Sequence, residues 1–273
     1  MSSTSLRAGV ACLALVLASV SAGGAMAAVS FTADFSTGSF SDALRNPGDG
    51  AGNPAYHVDG GVLLRASYEQ HRYYVSTAAS DFNTADFTAT LVYNPEPVGG
   101  GGWADHFYFG IGSGEPAEAP APSYTEPATA LYFDIYINYG QHLPNKIVVQ
   151  VNYRPGADGT GVRSALLSSW WGDLGPSGVE AASGTTGALQ ISMTDGYITF
   201  AWDLTNDGTF DISQTFSAPL AELCPELDTT NSRIFFGAGH PSTTFSSLTV
   251  NVVPEPMTMT LLAIGALALR RRR

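Results

Sequence analysis

An all-β body made of two antiparallel sheets packed face to face is the fold class this sequence predicts, and three observations carry it. Roughly a dozen short runs rich in aromatic and β-branched residues alternate with turn-forming clusters, the pattern of a sandwich or barrel. Asp-Gly pairs stand between alternating runs, the strongest local hairpin signal. No stretch of the body sustains the 3.6-residue apolar period of a long helix.

In chain order, the predicted strands begin with Phe31–Phe35, Val62–Ala66, Tyr73–Ser76, Asp86–Tyr93 and His106–Ile111. Ala130–Asn138 mixes aromatic and β-branched residues, and Lys146–Tyr153 follows a turn through Gly140 and Pro144. Ala188–Met193 meets Tyr197–Trp202 across Thr194-Asp195-Gly196, and Asn206-Asp207-Gly208 turns the chain into Thr209–Ser213. A helical turn or two is expected near Ala218–Leu223, before the closing strands Arg233–Gly237 and Phe245–Val252. Gly114–Thr129 holds four prolines and three glutamates without apolar periodicity and reads as a loop, as does Gly172–Gly187. The run Gly99–Gly102 marks a long hairpin tip ahead of Trp103. No internal repeat is evident, which argues against a propeller or solenoid.

Both ends carry export chemistry. Arg7 precedes the small and apolar run Ala8–Val20, and Ala25-Met26-Ala27 supplies a small-x-small cleavage site, so residues 1–27 are expected to be a signal peptide. At the other end, Val253-Pro254-Glu255-Pro256 leads into the thirteen-residue apolar run Met257–Leu269, and Arg270, Arg271, Arg272 and Arg273 close the chain. Two prolines force an extended frame around one carboxylate. The apolar run seeks lipid, and the arginines resist crossing it and hold the cytoplasmic side. This order resembles the PEP-CTERM sorting signal of Gram-negative bacteria. The resemblance covers residues 253–273 and implies a single transmembrane helix, inner-membrane anchoring, and processing near Pro254-Glu255-Pro256 by an exosortase-type membrane enzyme. It further implies export by the Sec machinery, cleavage by signal peptidase, and delivery to the cell surface or extracellular matrix.

Between these ends, residues 28–252 form the expected β-sandwich body. Removing 1–27 and the tail from Pro254 leaves seven of the twelve basic residues and all but one of the 24 acidic ones, a net charge of −16. Phosphate backbones would be repelled, so nucleic acid is excluded as a partner. A neutral polysaccharide or divalent cations remain compatible. Cys12 leaves with the leader and Cys224 is the only other cysteine, so no internal disulfide is expected.

The body carries a second resemblance. Asp34-Phe35, the turn and strand Val58–Leu63, the strand Asp86–Leu91, Trp202-Asp203 with Asn206-Asp207-Gly208, and Arg233–Gly239 follow one another in an order similar to the concanavalin A-like (laminin-G/glucanase) jelly roll. That likeness spans Val29 to about Asn251 and implies two curved antiparallel sheets with loops over a concave face.

Catalytic patterns are missing. There is no Gly-x-Ser-x-Gly, His-Glu-x-x-His, Cys-x-x-Cys or phosphate loop. Glycosidases on a jelly roll commonly alternate carboxylates along one strand, whereas the nearest candidate, Phe133–Asn138, offers Asp134 alone. Asp203, Asp207 and Asp211, with Thr205 and Gly208, approximate an oxygen-ligand calcium loop, but its last place is Gln214 instead of a bidentate Glu. A hairpin tip needs the same residue types. The turn is the preferred reading, and calcium is the one cofactor left open. Aromatic platforms beside polar groups suit sugar rings and hydroxyls, which singles out Trp103 with Asp105 and His106, and Trp170 with Trp171. Adjacent tryptophans in a strand point to opposite faces, so one of the pair belongs to the core. Tyr132 and Tyr136 share one strand face, as packed residues would. The function expected is an exported surface or matrix protein whose non-catalytic body binds exopolysaccharide. A secreted polysaccharide hydrolase or lyase and a purely structural matrix protein are the alternatives.

Overall fold

The computed structural model describes residues 28–46, 54–65, 74–94, 105–113, 129–137, 146–154, 165–173, 186–228, 231–238 and 243–253. The expected signal peptide, the sorting tail from Pro254 and the glycine run before Trp103 lie outside those residues. Among the described residues, no helix is long and apolar enough to cross a membrane.

Fifteen strands are described: β1 Phe31–Asp34, β2 Leu44–Arg45, β3 Tyr56–Asp59, β4 Val62–Arg65, β5 Val75–Thr77, β6 Phe87–Asn94, β7 Asp105–Ser113, β8 Thr129–Ile137, β9 Lys146–Arg154, β10 Ala165–Asp173, β11 Gly187–Thr194, β12 Tyr197–Asp203, β13 Ile212–Thr215, β14 Arg233–Ala238 and β15 Thr244–Val252. One sheet runs β13-β12-β11-β6-β15-β4-β3, with β1 added beside β15. The other runs β10-β9-β8-β7-β14-β5-β2. The last two strands enter the middle of the two sheets, β14 between β7 and β5 and β15 between β6 and β4. This is the expected two-sheet antiparallel sandwich.

The turns obey the glycine chemistry of the sequence. Asp195 and Gly196 both adopt positive φ, 52° and 81°, as a two-residue hairpin matched to strand twist requires. Gly60 and Gly61 do the same between β3 and β4, at 56° and 84°. The β12–β13 connection differs from expectation. Asn206 and Gly208 do take positive φ, at 53° and 88°. The turn is nonetheless eight residues long, 204–211, and the returning strand starts at Ile212 instead of Thr209. Side chains close this loop: the Asp203 carboxylate accepts N–H bonds from Thr205, Asp207 and Gly208, and Asp211 accepts one from Leu204. Local side-chain acceptors thus outcompete the ladder for these backbone donors.

The other clear departure is β10. Gly172 and Asp173 lie in its strand, not in a loop, and Ala165 begins it. Two adjacent serines hide its period, and pairing with β9 absorbs an irregularity between Leu166 and Ser168. A one-turn helix at Leu220–Leu223 lies within the segment expected to be helical.

Aromatic rings fill the layer between the sheets. Phe133 of β8 meets Phe200 of β12 edge-to-face at 4.6 Å between centroids, and Phe236 of β14 meets Phe245 of β15 at 5.0 Å. Tyr93 of β6 lies 4.6 Å from Phe107 of β7, while its hydroxyl accepts a 2.7 Å hydrogen bond from the Trp202 indole N–H. Burial holds the Tyr93 phenol well above the ordinary tyrosine range, so it stays neutral beside that donor. Gly187 makes room for the ring: a Cβ there would lie 2.5 Å from the Tyr93 oxygen. The Tyr56 hydroxyl ties the layers again by accepting the Ala238 N–H at 2.9 Å. Cys224 is buried in this core, and its apolar surroundings, then Glu226, push the thiol up to about 12. That fits the expected small apolar residue.

The outer face of the β6-containing sheet is polar. Thr32, Thr249, Thr90 and Gln190 form one cross-strand row, in which Gln190 donates to Thr90 at 3.2 Å. Tyr93→Phe removes the acceptor of a buried indole N–H and is expected to lower the unfolding free energy by about 1–3 kcal/mol. Urea denaturation with an unchanged m-value checks this.

Candidate functional site

The strands β7, β8, β9 and β10 are adjacent and nine residues long each, so their registers build a broad sheet surface. Phe107, Phe109 and Ile111 of β7 belong to the interlayer core, and Tyr108 lies on the opposite face. The two-residue period therefore puts His106 on the face of Tyr108. Register extends each row across the sheet. His106 pairs with Tyr136, Tyr136 with Val148, and Val148 with Trp171. The next row on that face is Tyr108, Asp134, Gln150 and Ser169. After it come Gly110, Tyr132 and Asn152. Each of the two four-residue rows spans three interstrand spacings, roughly 14 Å.

The site candidates of the sequence are thereby sorted. His106 and Trp171 fall in one row although 65 positions separate them in the chain. Asp105 and Trp170 fall in the alternate rows. Trp170 shares the row of buried Phe107, through Val149 and Ile135. Trp103 lies outside the described residues. Gln150, Asn152 and Tyr108 were not singled out by the sequence, since only register between distant strands brings Gln150 and Tyr108 to the row next to Tyr136 and Asn152 opposite Tyr132.

At the β14 side the same face carries a second apolar cluster of Tyr74, Tyr108, Ala130, Tyr132 and Phe235. Tyr74 makes edge contacts with Tyr108 at 5.4 Å and Phe235 at 5.3 Å. Tyr132 is 5 % exposed, which agrees with the packed role expected for it. Gly110 lies between Phe235 and Tyr132 in register, and a Cβ on it would come within 2.6 Å of the Leu131 carbonyl oxygen. A glycine is needed there so that aromatic side chains can flank it.

The acidic cluster lies on the other sheet, at the end of β12. Asp203 is almost fully buried, with Oδ1 accepting from Thr205 and Asp207 at 3.1 and 3.3 Å and Oδ2 from Gly208 at 2.8 Å. Asp207 accepts the Thr209 N–H at 2.8 Å. These carboxylates serve the loop backbone. Among the described residues, no group of three or more His, Cys, Asp or Glu is arranged to hold a metal ion.

No family model matches the chain, and no curated protein does. Solved structures do match. The CBM2 module of an evolved Dit protein from Lactobacillus casei BL23 phage J-1 is 12% identical, with a TM-score of 0.50 over 82% of this chain and 96% of that one. Lectin II from Ulex europaeus is 15% identical at a TM-score of 0.50, covering 83% and 99%. The exoplasmic/lumenal domain of VIP36, in a calcium- and mannose-bound form, is 12% identical at 0.51, covering 80% and 86%. The fold is the lectin-like jelly roll. At such identities the likeness is one of fold alone. It agrees with the concanavalin A-like architecture that the order of sequence elements resembled.

Asp203→Ala deletes three charge-assisted acceptor contacts in a buried loop and is expected to cost about 2–4 kcal/mol. Millimolar calcium is expected to leave the melting temperature of the unchanged protein where it is. A rise of several degrees would show an ion seated on these carboxylates.

Proposed function

We propose that this chain is an exported, non-catalytic carbohydrate-binding protein whose ligand lies across the outer face of β7 to β10. The observation that carries the reading is the row His106–Tyr136–Val148–Trp171 with Asp134, Gln150 and Ser169 in the row beside it. Tyr108, which begins that second row, is fully buried and packs the sheet instead of facing a ligand. Aromatic residues offer platforms for the C–H faces of sugars, and neighbouring carboxylate, amide and imidazole groups match hydroxyls. Such mixed surfaces are the usual composition of small-ligand sites. Two neighbours of the same fold support the class of ligand: a Ulex lectin complexed with galactose and VIP36 bound to mannose. The body's charge of −16 favours a neutral polysaccharide over an anionic one.

A hydrolase needs two carboxyl groups about 5–10 Å apart. Asp134 and Asp173 share this face by register, but Asp173 lies two strands away and four residues along from the row of Asp134. That places the two backbones roughly 16 Å apart. This pair of carboxylates gives hydrolysis no support.

Retention of the protein on neutral exopolysaccharide or a common glucan is the direct test. Trp171→Ala and Tyr136→Ala are each expected to weaken binding at least tenfold with the fold intact, whereas Trp170→Ala acts on stability. Retention on none of the glycans offered, or equal retention of all three variants, counts against the site.

The terminal chemistry sets the location. The leader at 1–27 would route the chain through Sec, and the Pro254-Glu255-Pro256 tail would hold it in the inner membrane until an exosortase-type enzyme released it to the surface or matrix. Mass spectrometry of the mature protein is expected to find a C-terminus near Pro254-Glu255-Pro256. An intact Arg270–Arg273 tail on released protein contradicts this processing.

A further inference from the structure

We infer that the free edge of β10 pairs with β10 of a second copy, joining two seven-stranded sheets into one continuous sheet about a two-fold axis. An edge strand offers unpaired N–H and C=O groups as a template, and proteins blunt such edges by brevity, charge or proline. Among the described residues, five strands keep a free edge. Four of them are two to four residues long: β1, β2, β3 and β13. Three of these four also carry a charged residue, Asp34, Arg45 or Asp59. The fifth, β10, is nine residues long, Ala-Leu-Leu-Ser-Ser-Trp-Trp-Gly-Asp, with no lysine, arginine or proline and one acidic residue at its end. Brevity, basic charge and proline are all missing from it, and its one departure from a regular edge is the irregularity between Leu166 and Ser168 in its pairing with β9.

The occupant follows from length, charge and symmetry. No other free edge among the described residues matches nine residues, so the complementary partner is β10 itself. Antiparallel pairing of a strand with its own copy is isologous, uses both edges and closes at a dimer. In a register centred on Ser169, Trp171 stands opposite Leu167, Trp170 opposite Ser168, and Asp173 opposite Ala165. Trp171 against Leu167 is then an apolar cross-strand pair, made twice by the symmetry, and no carboxylate faces another. Two bodies of charge −16 repel over most of their surface, which favours approach along an edge whose only charge is Asp173 at its end.

The experiment uses the full chain in mild detergent at about ten micromolar, where a dimer is expected by sedimentation. Ser169→Lys puts two ammonium groups at the axis and should weaken the dimer at least tenfold, while Ser213→Lys on the short β13 edge leaves it unchanged. Directly opposed antiparallel residues bring Cα atoms within disulfide reach. Ser169→Cys should therefore cross-link two copies on mild oxidation, and this readout survives if the lysine variant fails to fold. A strictly monomeric wild type overturns the inference. So does a dimer that persists with Ser169→Lys, or a dimer in which neither Ser168→Cys nor Ser169→Cys cross-links. Glycan binding plays no part in these readouts, so they stand apart from the carbohydrate reading.

Discussion

The interlayer packing of aromatic rings is the constraint on which the rest of this molecule depends. Two sheets would bury little against each other if small residues filled the gap. Instead Phe133 against Phe200, Phe236 against Phe245, and Tyr93 against Phe107 span it at 4.6–5.0 Å. Large rings carry large apolar area, and edge-to-face geometry adds to it. The polar atoms brought along are satisfied inside the same layer, Trp202 on Tyr93 and the Ala238 N–H on Tyr56. With no internal disulfide available to a body holding one cysteine, this packing and the strand ladders are what hold the sheets in place.

Once alternate residues are committed to that layer, the intervening ones are free to differ between the two outer faces. On the β6 side they are threonine, serine and glutamine, joined in rows by side-chain hydrogen bonds such as Thr199 to Thr215 at 2.7 Å. On the β7 side they are tyrosine, histidine, aspartate and amides, with a small second core at Tyr74, Tyr108, Tyr132 and Phe235. One face is hydroxyl-rich and the other aromatic. That asymmetry, more than the shared jelly roll, is the ground on which a sugar site is proposed at the β7–β10 surface.

Local features were legible in the sequence and non-local ones were not. Asp195-Gly196 and Gly60-Gly61 announced their hairpins because positive φ is a property of the residues themselves. Strands β6, β8, β9 and β15 alternate or carry β-branched runs and were placed within a residue or two. β10 was missed because Ser168-Ser169 interrupts the pattern at the irregular step in its pairing with β9. The row joining His106, Tyr136 and Trp171 was invisible for another reason. Its members come from three strands far apart in the chain, and only register decides which face each occupies. The adjacent tryptophans show both levels at once. Alternation required that they diverge, but only the pairing of Val149 with Trp170 and of Val148 with Trp171 decided which row each one joins.

Charge connects the surface to its setting. A body at −16 cannot stay near anionic polymers or its own copies except through neutral ground. The long strands β7 to β10 come nearest to such ground twice, as a face where Asp134 stands among aromatic and amide residues and as an edge without basic residues or proline. Both lie on the same four strands, so pairing at the β10 edge would set two copies of the row His106–Tyr136–Val148–Trp171 side by side across the axis. A polymer lying across that junction would meet both, and the second contact would be made at the effective concentration of a tethered neighbour. Under the proposed function, weak single-site recognition of a sugar would then suffice to hold a long polysaccharide firmly.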